Sequence, residues 1–241
     1  MTQPEPFETL FAVPLKCESC VQAVSGSLHE LPGIINVDVK LKEQLVQISG
    51  TIAPSEIVRA IQSTGRTAIL RGSGKQGAAV SILETHAKVA NPVRGLARMI
   101  QVSPKLSIVD LSVYGCSPGR YYASVRENGD ISQGAASTGA VWRGTATGEK
   151  EEPRGRFGEF EVDESGAGSV FLTRPVEIWE LIGRSLVVSK KESGFATNDP
   201  DTLCGVIARS AGVWENEKTV CACSGKTIWE ERTEQVNKGM I

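Results

Sequence analysis

Histidine is nearly absent: His29 and His86 are the only two in 241 residues. That scarcity excludes sites built mainly from imidazole, whether histidine-rich zinc centres or acid-base schemes that need several rings. No charge of one sign is in excess either. Lys and Arg number 26 against 28 Asp and Glu, a net charge of −2 spread evenly along the chain, so no stretch reads as a phosphate-binding surface and nucleic acid is not an expected partner. Long apolar runs are missing as well. None reaches the roughly 18 residues of a spanning helix, so no stable membrane insertion is expected. The opening MTQPEPFETLFAVPL is acidic, holds three prolines and lacks a basic n-region, which does not read as a secretory signal. The expectation is a soluble, intracellular protein, where closely spaced cysteines serve metals or redox chemistry more often than permanent disulfides.

Six cysteines are present, and four of them form two short pairs, Cys17-x-x-Cys20 and Cys221-x-Cys223. A disulfide across one intervening residue is strained. The second pair, close to the end of the chain, therefore binds a metal, exchanges disulfides, or does nothing. The length suits two modest domains, and 40% hydrophobic residues suffice for their cores.

From Thr9 to Arg71 the apolar period changes in an informative order. TLFAVPL is a short apolar run; Val21, Val24, Leu28 and Leu31 then recur at helical spacing and stop at Pro32-Gly33. Ile35, Val37, Val39 and Leu41 alternate as one face of a strand, and QLVQIS repeats the alternation. APSEIVRAIQSTG is a second helix with Pro54 in its first turn and Gly65 at its end, and TAIL supplies a last strand. The order βαββαβ predicts an α+β ferredoxin-like sandwich. It places Cys17 in the first strand-to-helix loop and Cys20 in the opening helical turn, where the helix N-terminus favours thiolate. Two accessible soft sulfurs without a completing histidine or carboxylate suit Cu(I) better than structural zinc. In this setting PLKCESC resembles the heavy-metal-associated domain, whose loop motif is M-x-C-x-x-C. Leu15 stands where that family has methionine, which packs beneath the loop, and a hydrophobe of similar size is expected to do the same.

RGSGKQGAA has the composition of a short flexible connection. Beyond it, short β-patterned runs follow one another with glycine-containing turns, the signature of an all-β sandwich or barrel. Over roughly residues 78 to 210, YYASVRENGDIS, LIGRSLVVSK and CGVIARSAG resemble, in order and spacing, segments of copper/zinc superoxide dismutase, a Greek-key barrel. The resemblance also shows what is missing. Ser124, Arg126 and Ser189 occupy places where that family has metal-binding histidines, and the stretch of the zinc loop holds no histidine, leaving Glu159 alone at a zinc-ligand position. Neither dismutation nor zinc binding by this domain is expected. Arg126 sets a permanent cation where copper would lie. Cys204 falls at one half of the family's internal disulfide, but Ala135 stands near the place of the other, so Cys204 is expected to be buried and reduced unless Cys116 reaches it. The resemblance further implies a two-fold docking surface at Gly129, Ile182, Gly183, Val206 and Ile207.

The order of the whole chain resembles the copper chaperones of copper/zinc superoxide dismutase, of fungal type. The implied division is a Cu(I)-binding domain at 1–71, a linker at 72–77, a docking domain at 78–210 and a mostly irregular tail at 211–241. By that resemblance Cys17 and Cys20 take up Cu(I), and Cys221 and Cys223 hold it near a reduced, copper-free dismutase. Cys221 then forms a transient mixed disulfide while the target's internal disulfide is made. The implied partner is the dismutase as a heterodimer, with a homodimer through the same barrel surface as a second assembly. The implied place is the cytoplasm, with the mitochondrial intermembrane space as a further compartment. Beyond the tail cysteines' disulfide transfer, no catalytic constellation is found and none is required. Three alternatives stay open: a thiol-disulfide oxidoreductase and a copper buffer without a dismutase target, both using the same cysteines, and a structural pseudo-subunit that dimerises regardless of them.

Overall fold

The structure is a computed structural model that describes residues 5–74, 77–144, 152–212 and 225–237, with side chains as far as 234. The first domain is β1 (Phe7–Ala12), α1 (Glu18–His29), β2 (Ile34–Lys40), β3 (Leu45–Gly50), α2 (Pro54–Ser63) and β4 (Ile69–Ser73). Its antiparallel sheet has the order β2-β3-β1-β4, and both helices cover one face. Val24 and Leu28 of α1, Ile57 and Ile61 of α2, and Phe11 and Ile48 of the sheet are buried together. Each such side chain contributes about 1.5–3 kcal/mol of transfer free energy. α1 ends at His29, short of the expected stop at Pro32-Gly33, and α2 ends at Ser63 just before Gly65, which takes the left-handed φ of 77°.

One expectation about this sheet is corrected. Ile35 does not join the apolar face of β2 but is 63% exposed. A bulge between Ile34 and Asn36 shifts the pairing with β3, so Ile34 packs on the core beside Val37, Val39 and Leu41. Strict alternation cannot reveal an inserted residue, because a bulge changes the period locally.

The second domain comprises β5 (Ala78–Thr85), β6 (Val93–Ser103), β7 (Leu106–Val113), β8 (Gly119–Arg126), β9 (Ser132–Ala135), β10 (Arg156–Val162), β11 (Gly168–Arg174), the short α3 (Ile178–Leu181), β12 (Ser185–Ser189), β13 (Leu203–Val206) and β14 (Ala208–Ser210). The strands run β13-β12-β8-β10-β11-β7-β6-β5-β14, and β13 also pairs with β5. That last pairing closes eight strands into a barrel, with the short β14 left as an edge strand on β5. The barrel is filled by Leu83, Met99, Leu111, Tyr121, Phe157 and Leu186 among others.

The two domains meet along α2. The backbone N–H and the hydroxyl of Ser55 both donate to the carboxylate of Asp110 on β7, at 2.8 and 2.7 Å. Arg98 of β6 pairs with the same carboxylate at 3.5 Å, and Asp110 is 1% exposed. The N–H of Ser73, at the end of β4, donates to the carbonyl of Ala211, just past β14. β4 thus runs through Gly72 and Ser73, the opening of the stretch read as a connection. The tail, read as mostly irregular, carries one helix in its described part, α4 (Ile228–Asn237).

Candidate functional site

The thiol pair sits where β1 hands over to α1. Cys17 is the N-cap of α1 with extended backbone, and its carbonyl accepts from the N–H groups of Cys20 and Val21. This turn points both sulfurs the same way: Cys17 Sγ lies 3.5 Å from Cys20 Sγ and 3.0 Å from the hydroxyl of Ser19. Cys17 is exposed and Cys20 half-buried. Leu15 is buried in the domain core beneath the loop, so the loop rests on packed hydrocarbon.

The Cys20 thiol is held down to about 6, against an ordinary 9.0. The largest cause is the Arg66 guanidinium, which donates to its sulfur; the backbone of Lys16 and the thiol of Cys17 add to it, and partial burial opposes. Arg66 lies just after α2, where its guanidinium also donates to the Thr64 carbonyl at 2.7 Å. Thiolate at neutral pH is the form that ligates a soft cation, and the two sulfurs are close enough to share one.

On the barrel, the positions that the dismutase resemblance marks as metal ligands do other work. Arg126 is buried; its guanidinium donates twice to the Gly139 carbonyl, at 3.1 and 2.7 Å, and once to the Glu192 carbonyl at 3.4 Å. It also stacks 5.1 Å over the Phe195 ring. The Ser189 hydroxyl is buried against that of Thr202 at 2.8 Å, while Ser124 faces a cleft beside Glu159 and Glu192. Glu159 pairs with Arg120 at 3.4 Å, half in solvent. Among the described residues no group of three or more His, Cys, Asp and Glu could hold a metal.

Cys116 and Cys204 are buried free thiols. Burial pushes both up to about 11, so neither is thiolate at neutral pH. Cys204 packs with Val187 and Ala135 in one small cluster, while Cys116 belongs to the main barrel core.

The surface that the dismutase resemblance marks for docking is shaped by backbone geometry. Gly183 takes a left-handed φ of +83°, its N–H donates to the Ile207 carbonyl at 2.9 Å, and its own carbonyl lies where a Cβ on Gly129 would come within 2.2 Å. Only glycine at 129 permits that approach. Around the two glycines, Ile182 and Val206 present large apolar side chains to solvent. Ile207 differs from the expectation: its side chain is wholly buried in the barrel core, because it points inward next to the outward Val206. Its contribution to the surface is the carbonyl that holds Gly183.

Sequence reasoning did not single out Arg66 or Trp179, which is 69% exposed on α3 with its indole N–H donating to Glu177. A cation just beyond the second helix of a C-x-x-C domain, and a tryptophan three residues before Ile182, were the available signals. Cys221 and Cys223 lie outside the described residues.

A ferredoxin-like domain with a paired thiol site, fused to a dismutase-type barrel whose copper position is filled by an arginine, defines a metallochaperone class. The comparisons with known proteins agree. Residues 9–67 match the heavy-metal-associated domain and residues 93–212 match copper/zinc superoxide dismutase (SODC). A "Superoxide dismutase 1 copper chaperone" of Debaryomyces hansenii is 47% identical over 97% of this chain and 98% of its own. One of Saccharomyces cerevisiae is 41% identical over 96% of both chains, and the human "Copper chaperone for superoxide dismutase" is 33% identical over 92% of this chain and 88% of its own. The chain belongs to the family of copper chaperones for superoxide dismutase.

Proposed function

We propose that the chain docks on immature, copper-free copper/zinc superoxide dismutase and delivers Cu(I) to it. In this reading residues 1–71 bind the ion, 78–210 dock, and 211–241 carry the delivering pair. Cys17 and Cys20 take up Cu(I) and pass it by successive thiolate exchange to Cys221 and Cys223, and from there to the target. Each exchange forms one copper–sulfur bond as another breaks, and the oxidation state is unchanged. The surface around Gly129, Ile182, Gly183 and Val206 pairs with the target as a heterodimer, supplying proximity in place of high affinity. In a second step two target thiols lose two electrons and two protons to dioxygen, with Cys221 as the transient mixed-disulfide partner. The dismutase-like domain takes no zinc. The free chain uses the same surface for a homodimer, and the protein works in the cytosol and the mitochondrial intermembrane space.

The observation that carries this reading is the thiol pair, 3.5 Å apart with Cys20 shifted toward thiolate, on the same chain as a barrel that exposes the apolar side chains of Ile182 and Val206. The test mixes Cu(I)-loaded protein with reduced apo-dismutase and assays superoxide removal, for the native chain and for Cys221→Ser/Cys223→Ser. Activation by the native chain and none by the variant is expected. Equal activation by both removes the tail pair from the mechanism. Oxidation of the dismutase without copper transfer favours a thiol-disulfide oxidoreductase, and copper retention without a complex favours a buffer.

A further inference from the structure

Helix α4 takes part in neither the thiol site nor the docking surface, yet it lies across the seam of the two domains. Ile228, Glu231 and Arg232, spaced to share one helical face, line a cavity of about 360 Å³. The opposite walls come from Val58 of α2 and Leu70 of β4 in the first domain, and from Leu96 and Arg98 of β6 in the second.

The contact is incomplete in three respects. An open groove remains along this face between helix and seam, so apolar contact across it is reduced. Arg232 is half-buried, and its Nε has no hydrogen-bond partner among the described residues. Its charge also shares the groove wall with that of Arg98, a second cation that already holds Asp110. Burial pulls Arg232 below its ordinary range, and Arg232 in turn helps to lower Arg98 by like-charge repulsion. At the start of α4, by contrast, local pairs are in place. The Glu230 carboxylate accepts from the N–H and hydroxyl of Thr227, whose hydroxyl accepts from the Glu230 N–H, and Lys226 pairs with Glu234. The helix is well started and poorly seated.

We propose that α4 is a releasable clasp: docked, it ties the ferredoxin-like domain to the barrel across their seam, and Arg232 is the residue that keeps the docking weak. A ten-residue helix is marginal without packing, so release exposes its amides to exchange. On the reading given under Proposed function, Cys223 lies two residues before Gly225, so the docked helix also bounds how far the delivering pair reaches.

Amide hydrogen exchange on the full-length, reduced, copper-free protein tests the clasp without copper or dismutase. The amides of α4 should exchange at least tenfold faster than those of α2. Arg232→Leu, which removes that charge and extends apolar contact, should slow α4 about tenfold while leaving the core of the barrel unchanged. Ile228→Asp should speed it. Exchange of α4 as slow as that of α2 in the native chain would make it a permanent strut. Indifference of α4 to Arg232→Leu would remove the charge as the weak point, and either result overturns the proposal. If the exchange results stand, Arg232→Leu should also slow activation of apo-dismutase; failure of that arm alone counts against the delivery reading and not against the clasp.

Discussion

A single guanidinium bears most heavily on the Cys20 thiol. Arg66 is the largest cause of the lowered Cys20 titration, so Arg66→Ala should move that titration up toward 9.0. The rate of alkylation of Cys20 in the copper-free protein, followed against pH, reads this directly. At pH 7 the variant should react about tenfold more slowly, because most of its Cys20 is then thiol. The sign for stability follows from the same shift. Cys20 titrates lower in the folded chain than in the unfolded one, so its contribution is fully present above about 9 and is lost as the pH falls through about 6. Proton competition should weaken Cu(I) binding over the same fall. Arg126 is a second case of one side chain organising a site. It joins β8 to the Gly139 turn and to Glu192, tying loops together at the place where the dismutase resemblance puts copper. Arg126→Ala should cost about 2 kcal/mol in urea unfolding of the copper-free protein. Arg126→Lys should recover little of it, since an ammonium cannot make the forked contact to one carbonyl.

Among the elements, α2 joins the two halves of the molecule. One end receives Asp110 from the barrel, and the other leads into the loop that carries Arg66. Asp110→Ala would leave the Arg98 charge, 15% exposed at its side chain, without its partner, and should destabilise the protein by about 3–5 kcal/mol. Asp110→Asn keeps one of the two acceptors that Ser55 uses and should cost less, which thermal unfolding of the two variants side by side would show. None of this was legible beforehand. An aspartate in the middle of LSIVDLSV reads as a polar residue on a strand, and its partner Ser55 is 55 residues away. The elements themselves were legible, because helices α1 and α2 and the strands of the first domain follow their own apolar periods. The thiol pair was legible for the same reason, since local spacing places both cysteines at one helix start. Arg66 was not, because its approach to Cys20 is set by how the loop after α2 folds back. The inward turn of Ile207 follows from alternation with Val206, but only once the register of β13 is known. Helix α4 escaped because its capping lies in a Thr-x-x-Glu pattern, Thr227 to Glu230, that apolar periodicity does not report.

For the whole molecule, the proposed function assigns metal binding and target recognition to separate surfaces, and that separation can be tested. The thiols lie at the start of α1, while the proposed docking patch lies on the barrel where α3 leads into β12 and where β13 ends. Val206 and Ile182 are more than a third exposed and make no part of either domain core, so a charge placed there should leave the fold intact. Val206→Glu with Ile182→Glu is therefore expected to keep the native unfolding midpoint within about 0.5 kcal/mol and to leave Cu(I) affinity unchanged, measured by competition with a chelator. The same double variant should lose the complex with reduced apo-dismutase in size-exclusion chromatography, because two buried carboxylates at the centre of an apolar interface go without partners. Activation should fall with it. The complementary variant, Cys17→Ser/Cys20→Ser, should reverse the pattern: copper binding at the first domain is lost while the complex still forms. If Val206→Glu/Ile182→Glu bound the target normally, the patch around Gly129 and Gly183 would not be the recognition surface. Recognition would then have to be sought elsewhere on the barrel or on the first domain.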